Sequence, residues 1–194
     1  MEENIMKRET VKVDRLYKKF KVSRRQKKLS GDSRDFVVAV KNLSFSAYSG
    51  EIFGLLGANG AGKTTTLRIL STLIKPDGGD ARILDDSVTA NPEKVRSNIA
   101  FLTSELKLED FFTPDYLFDF FSELRGVDKQ TRDKRKKELF DVFGINDFAG
   151  VKVGNLSTGM KQKASLVISL VHDPEVIIFD EPTNHLDLES ITAL

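Results

Sequence analysis

Residues 57–64 read Gly57-Ala58-Asn59-Gly60-Ala61-Gly62-Lys63-Thr64, a match to the pattern G-x-x-x-x-G-K-[ST]. Four glycines fall among the ten residues from Gly54 to Lys63. A triphosphate is held by backbone N–H groups that converge on it, so the chain must curl tightly and approach with no Cβ in the way. A helix starting near Gly62 would aim its unpaired N–H groups and positive dipole end at the phosphates. Lys63 then reaches the β- and γ-phosphates, and the Thr64 hydroxyl coordinates Mg²⁺. This cradle alone predicts nucleotide binding, not hydrolysis.

A second chemical element is "VIIFDEP", residues 176–182. Four apolar residues place Asp180 at the carboxyl end of a buried strand, where α/β sheets bind ligands. Asp180 is expected to hold Mg²⁺ through water. Glu181, one residue further on, is expected to accept a proton from a water attacking the γ-phosphate. A third element is "NLSTGMKQK", residues 155–163. Its serine cap, glycine and following helix with Lys161 and Lys163 form another anion-binding arrangement.

The elements that must position these residues follow from local pattern. Residues 10–20 alternate and predict a strand; residues 36–48 are β-branched and aromatic and predict a strand or strand pair. The basic, polar stretch between them reads as a mobile loop. Residues 51–56, "EIFGLL", have the short apolar run of a buried parallel strand. Leu67, Leu70, Leu73 and Ile74 recur at helical spacing. "KPDGGD" marks a turn. "TPDYLFDFFSELRG" predicts a helix capped by Thr113, with Pro114 in its first position and Gly126 at its end. Leu117, Phe120, Phe121 and Leu124 would form its apolar face. A second helix, charged early and apolar late, follows at "KQTRDKRKKELFDVFGI". The layout is α/β, with a helical subdomain inserted over residues 105–160 of a single domain spanning 1–194.

Composition narrows the class. The 194 residues are 40% apolar, ample for a core, and contain no cysteine, hence no disulfide framework or thiolate metal site. No apolar run approaches the ~18–20 residues of a membrane span, and the charged start lacks the apolar core of a secretory signal. The net charge of +1 conceals an asymmetry: residues 1–30 hold eleven Lys/Arg against four Asp/Glu. That basic start reads either as a solvated surface or as a patch near anionic lipid headgroups or nucleic acid.

With the cradle, the Asp180-Glu181 pair and Leu156-Ser157-Thr158-Gly159-Met160 in order, the chain resembles the ATP-binding subunits of ABC transporters, whose signature reads LSGGQ. The resemblance covers nearly the whole chain. It implies a P-loop NTPase fold with a mostly parallel core sheet, an N-terminal antiparallel β region and the inserted helical subdomain. It implies that ATP and Mg²⁺ are bound, with Phe20 (or Tyr17) stacking on adenine. Gly57, Asn59, Gly60, Gly62, Lys63, Thr64 and Thr65 would contact the nucleotide. Ser157 and Gly159 would bind the γ-phosphate held by the opposite subunit of a head-to-tail homodimer or heterodimer. Lys63 and Glu181 would be the catalytic residues, and Thr64, Asp180 and Ser104 the metal contacts. "NHLD", residues 184–187, looks like the family's D-loop. Residues 50–79 look most like the sodium, drug and polysaccharide efflux branch. The expected place is the cytoplasmic face of the cell membrane, against an integral membrane permease, with no nucleic acid partner. The 94 residues from Lys63 to Ser157 leave no room for the long coiled coils of chromosome-associated relatives.

Departures from the family pattern bear on activity. Ser104 stands where a glutamine normally touches Mg²⁺ and the attacking water, with Glu105 as a substitute. Thr158 and Met160 replace a glycine and a glutamine of the signature. The sequence ends seven residues after Asp187, before the family's switch histidine, and neither His172 nor His185 matches that position. The expectation is a truncated chain, with a non-hydrolysing ATP-binding module or a soluble ATPase acting on nucleic acid as alternatives. Phe111, Phe112, Tyr116 and Phe118 lie outside the apolar face of Leu117, Phe120, Phe121 and Leu124. They are expected either to be buried on a second face of the subdomain or to form an exposed aromatic patch. In the second case the resemblance implies that Phe111, Phe112 and Phe118 help form the groove that grips a helix of the membrane subunit.

Overall fold

The computed structural model describes residues 7–23, 27, 34–103 and 108–180. The chain divides into two compact units, residues 1–97 and 98–194.

The first unit is built on a four-stranded antiparallel sheet of order β2-β1-β3-β4. Its strands are β1 (Glu9–Lys21), β2 (Phe36–Tyr48), β3 (Gly78–Ile83) and β4 (Asp86–Ser87). Alternation in β1 sends Val11, Val13 and Leu16 into the core, where they meet Val40, Ala47, Ala81 and Ile83. The alternation breaks between Val13 and Leu16 at a register shift, where Arg15 adopts φ 46° and its N–H is taken by the Ser44 hydroxyl at 2.8 Å. The bulge drives the Arg15 carbonyl against β3. A Cβ at Gly79, whose φ is +70°, would lie 2.2 Å from that oxygen, so only glycine fits. Helix α1 (Lys63–Leu70) lies against β2 and β3 and buries Thr66, Ile69 and Leu70. A short helix α2 (Pro92–Asn98) buries Val95.

Two sequence expectations change here. Residues 51–56 are not a strand. Among the described residues no strand pairs with them, and a strand persists only by exchanging backbone hydrogen bonds with a neighbour. Ile52 and Leu56 are each 94% exposed, while Phe53 stacks on Phe45 at 4.9 Å between ring centroids. Leu73, expected on the apolar face of the first helix, lies past the helix end at Leu70 and is exposed, because Thr72 turns into the left-handed region.

The second unit pairs β5 (Ile99–Thr103) with β6 (Val176–Asp180) in parallel, from Ile99↔Val176 to Thr103↔Asp180. The helices are α3 (Pro114–Leu124), α4 (Lys129–Phe143) and α5 (Thr158–Ser169), with 3₁₀ turns at Asn146–Phe148 and Val153–Asn155. One core joins Ala100 and Leu102 of β5 to Phe118, Phe140, Phe143, Ile145 and Leu166. Thr113 caps α3 as its sequence predicts, accepting from Tyr116 N–H at 3.2 Å, and Pro114 opens the helix. Asp128 caps α4, and Gly144 in the left-handed region ends it. Between the two helices, Lys136 bridges Asp115 at 2.6 Å and Asp119 at 2.8 Å.

The buried face of α3 is rotated from the expected one. It is Pro114, Leu117, Phe118 and Ser122, with Phe121 packed against the core. Phe120 and Leu124 are exposed. In "YLFDFF" two apolar stripes satisfy helical spacing, and only the position of α4 and α5 selects between them.

Candidate functional site

The glycine-rich loop closes in the first unit on three glycines, each for its own reason. Ala61 N–H donates to the Ala58 carbonyl at 3.1 Å, making a tight turn. Gly60 has φ +81°, which a side-chain-bearing residue adopts only with strain, although a Cβ there would meet no atom. Gly62 is the N-cap of α1 with φ +90°, and a Cβ there would sit 2.1 Å from the Ala39 carbonyl oxygen. Gly57 faces Ala61, where an added Cβ would come within 3.2 Å of the alanine methyl.

The Lys63 ammonium donates to the Gly57 carbonyl at 2.7 Å and the Ala58 carbonyl at 3.0 Å, so the loop curls around it. The start of α1 has no side-chain cap hydrogen bond, whereas α3, α4 and α5 are capped by Thr113, Asp128 and Ser157. The uncapped start suits an external anion, which the dipole and first-turn N–H groups attract. Thr64 and Thr65 follow Lys63 half-buried, and Asn59 lies exposed at the turn. A cradle of glycines and small residues, a lysine held within it and an open helix start fit a polyphosphate.

Phe20 lies near the end of β1, partly exposed, with the Lys18 ammonium 5.5 Å from its ring centroid. Tyr17 is half-buried on the same strand, opposite Gly78.

In the second unit, Ser157 is the N-cap of α5 and accepts from Met160 N–H at 3.3 Å. Ser157 and Gly159 are exposed, and a Cβ on Gly159 would meet nothing within 4 Å. Among the described residues of this unit nothing therefore demands glycine there. Asp180 ends β6, paired in register with Thr103 of β5. Ser104, Glu105, Glu181, His185 and residues 184–187 lie outside the described residues.

The expected aromatic groove is corrected in part. Phe118 is fully buried in the helical core, edge-on to Phe140 at 5.4 Å, so it cannot line a surface. The exposed aromatics instead form a row, Phe111, Tyr116 and Phe120, continued by Leu124. Phe112, half-buried, stacks on Tyr116 at 4.7 Å and meets Phe111 at 4.3 Å.

Two features near the motifs carry no sequence signal. Ala39, whose carbonyl meets Gly62, is the extra residue where β1 and β2 shift register between Lys18↔Val40 and Lys19↔Val38. His172, in the turn between α5 and β6, donates its Nε2–H to the Ile99 carbonyl at 3.0 Å. Burial, and then the positive charge of Arg125, lowers its pKa below the ordinary value.

A glycine-rich loop wrapped around a lysine at the opening of a helix defines a phosphate-binding protein of the P-loop class. The comparison with known families is narrower: the family described as "ABC transporter" matches residues 40–184, three-quarters of the chain, and the chain belongs to it. The ABC transporter ATP-binding protein NatA of Bacillus subtilis is 36% identical over 160 residues, which are 82% of this chain and 65% of that protein. The doxorubicin resistance ATP-binding protein DrrA of Mycobacterium tuberculosis is 37% identical over 81% of this chain and 48% of its own length. The chain thus spans about half to two-thirds of these relatives. Among solved structures, one described as the ATP-binding subunit of an ABC transporter aligns with TM-score 0.76 at 24% identity, over 95% of this chain and 71% of that one. A dimeric ATP-binding cassette bound to ADP and Pi aligns with TM-score 0.76 at 24% identity, over 94% of this chain and 78% of that one. At that identity the likeness is one of fold, and it is the fold of ABC-type P-loop ATPases.

Proposed function

We propose that the chain binds and hydrolyses ATP as the energy-coupling subunit of an ABC exporter. It would act as a head-to-tail dimer, peripheral on the cytoplasmic face of the membrane, on a separate integral membrane permease. The observation that carries the reading is the loop closed around Lys63 at the uncapped start of α1. The roles follow from chemistry. The loop N–H groups and Lys63 take the phosphates, and Phe20 offers its exposed ring to the base. Thr64 and Asp180 serve Mg²⁺, with Ser104 as a further metal contact. When bound, Mg²⁺ would neutralise phosphate charge. Glu181 is the base that takes the proton of the attacking water.

The open space at Gly159 supports the dimer, since a glycine that none of the described residues requires is explained by the close approach of another chain's phosphate. The exposed row Phe111, Tyr116 and Phe120 is the surface offered to the permease. The export direction is supported by the relatives' names, doxorubicin resistance and Nod factor export among them.

The test is Mg-ATP binding and turnover by this chain, beside Lys63→Ala and Glu181→Gln. Lys63→Ala is expected to lose most of the affinity. Glu181→Gln is expected to keep binding while turnover falls at least a hundredfold, the scale of a lost general base. Unchanged affinity in Lys63→Ala would overturn the reading.

A further inference from the structure

The end of the β1–β2 hairpin is unlike the rest of the sheet. Pairing of β1 with β3 stops at Tyr17↔Gly78. Beyond it, residues 18–21 pair only with β2 among the described residues, through Lys18↔Val40, Lys19↔Val38, Phe20↔Val37 and Lys21↔Phe36. The sheet thus continues as a two-stranded ribbon. Its root is pinned by Asp77, which accepts from Lys19 N–H at 2.8 Å and from the Lys18 ammonium at 3.2 Å.

Residues directly opposite on paired strands share a face. One face of the ribbon carries Phe20 and Val37. The other carries Lys19 and Lys21 on β1, facing Val38 and Phe36 on β2. Phe36 and Val38 are each 46% exposed, and both lysines are exposed. The Lys19 ammonium rests 4.7 Å from the Phe36 ring centroid, its stem along apolar surface and its charge at the rim. A two-stranded ribbon with apolar side chains in water on both faces is marginal by itself. The sequence joining the strands, residues 22–35, holds five basic residues against two acidic ones.

A solvated edge needs lysines but not phenylalanine and valine beside them. A nucleic-acid ribbon needs cations but gains nothing from exposed valines. A surface apolar beneath and anionic on top matches both. We propose that the ribbon face formed by Lys19, Lys21, Phe36 and Val38 contacts an anionic lipid bilayer, the two lysines meeting headgroup phosphates and the Phe36 and Val38 side chains entering the headgroup boundary. This face is opposite the one bearing Phe20, so lipid contact does not rest on nucleotide binding.

The test is co-sedimentation of the whole chain with vesicles of phosphatidylcholine alone and of phosphatidylcholine mixed with phosphatidylglycerol, at low and high salt. Binding is expected only to the mixed vesicles and is expected to weaken with salt. Each lysine near an anionic surface contributes about fivefold in partitioning, so Lys19→Glu with Lys21→Glu should reduce binding at least twentyfold. Phe36→Ser with Val38→Ser should reduce it severalfold while leaving a salt-dependent remainder. Circular dichroism melting checks that the variants fold, and the charge reversals at exposed positions keep the test open if the apolar pair does not. Equal binding to neutral vesicles, no binding to either, or binding untouched by the lysine reversals would overturn the proposal. So would tighter retention on single- or double-stranded DNA at the same salt, or a dimer abolished by Phe36→Ser.

Discussion

Gly60 and Gly62 lie two residues apart in one loop and are needed for different physical reasons. Gly60 is constrained by backbone angle alone, and Gly62 by angle and by the Ala39 carbonyl together. Gly60→Ala is expected to cost about 1–2 kcal/mol, the left-handed penalty of an L residue. Gly62→Ala is expected to cost about 3 kcal/mol, since a backbone oxygen at 2.1 Å cannot rotate away. Thermal melts of the two variants, read with ATP titrations, check the order. Gly159→Ala should not destabilise the isolated subunit. Its Cβ enters open space among the described residues, and within α5 alanine is favoured over glycine by up to about 1 kcal/mol, so the melting temperature should hold or rise. A loss of ATP-dependent dimerisation in that variant would then report on the partner's approach. His172 titrates with a definite sign. Burial favours its neutral form in the folded state, so this stabilisation is present above the unfolded value of about 6.5 and is lost as pH falls below it toward the depressed folded value. Stability measured by denaturant between neutral and mildly acid pH should fall, and His172→Asn should flatten that fall. An unaltered slope would remove His172 as its source.

At the scale of elements, α3 offers the sharpest contrast. Phe118 and Phe120 are two residues apart, one wholly buried and the other 47% exposed. Phe118→Ala is expected to cost about 3–5 kcal/mol, seen as a lower denaturation midpoint. Phe120→Ser with Tyr116→Ser should leave stability and ATP affinity near the parent values while transport by an assembled permease complex falls. The turn after α5 is a junction of the same kind. Arg135 of α4 reaches it through the Leu170 carbonyl at 2.9 Å and the Asp173 carboxylate at 2.8 Å, and His172 reaches β5 through Ile99. The helix that begins at Ser157 and the strand that ends at Asp180 thus meet in a turn held from two sides. The ends of α3 were legible as Thr113, Pro114 and Gly126, because capping depends on residues adjacent in sequence, whereas the Asp128 and Gly144 caps of α4 emerged only with the structure. The buried stripe of α3 was not, because both stripes of "DYLFDFFSEL" are apolar and burial depends on distant helices.

At the scale of the whole molecule, the proposed activity requires two chains. Mg-ATP should convert the Glu181→Gln variant from monomer to dimer in sedimentation velocity, and ADP should not. A monomer at saturating ATP would contradict the head-to-tail arrangement.

The residues of the phosphate loop were determined by sequence alone, since G-x-x-x-x-G-K-[ST] encodes a local backbone path that glycine permits and few other residues do. The starts of α1, α3 and α5, the strands β1 and β2 taken singly and the apolar strand ending at Asp180 were legible on the same local grounds, while the antiparallel pairing of β1 with β2 came from the family resemblance. Tertiary structure alone decided three things. It left residues 51–56 without a pairing strand among the described residues, although their composition reads as buried β. It made Gly62 indispensable by bringing the bulged Ala39 of β2 against it. It put Phe118 inside and Phe120 outside. Each depends on what a distant segment places beside the residue, and neither periodicity nor composition carries that information.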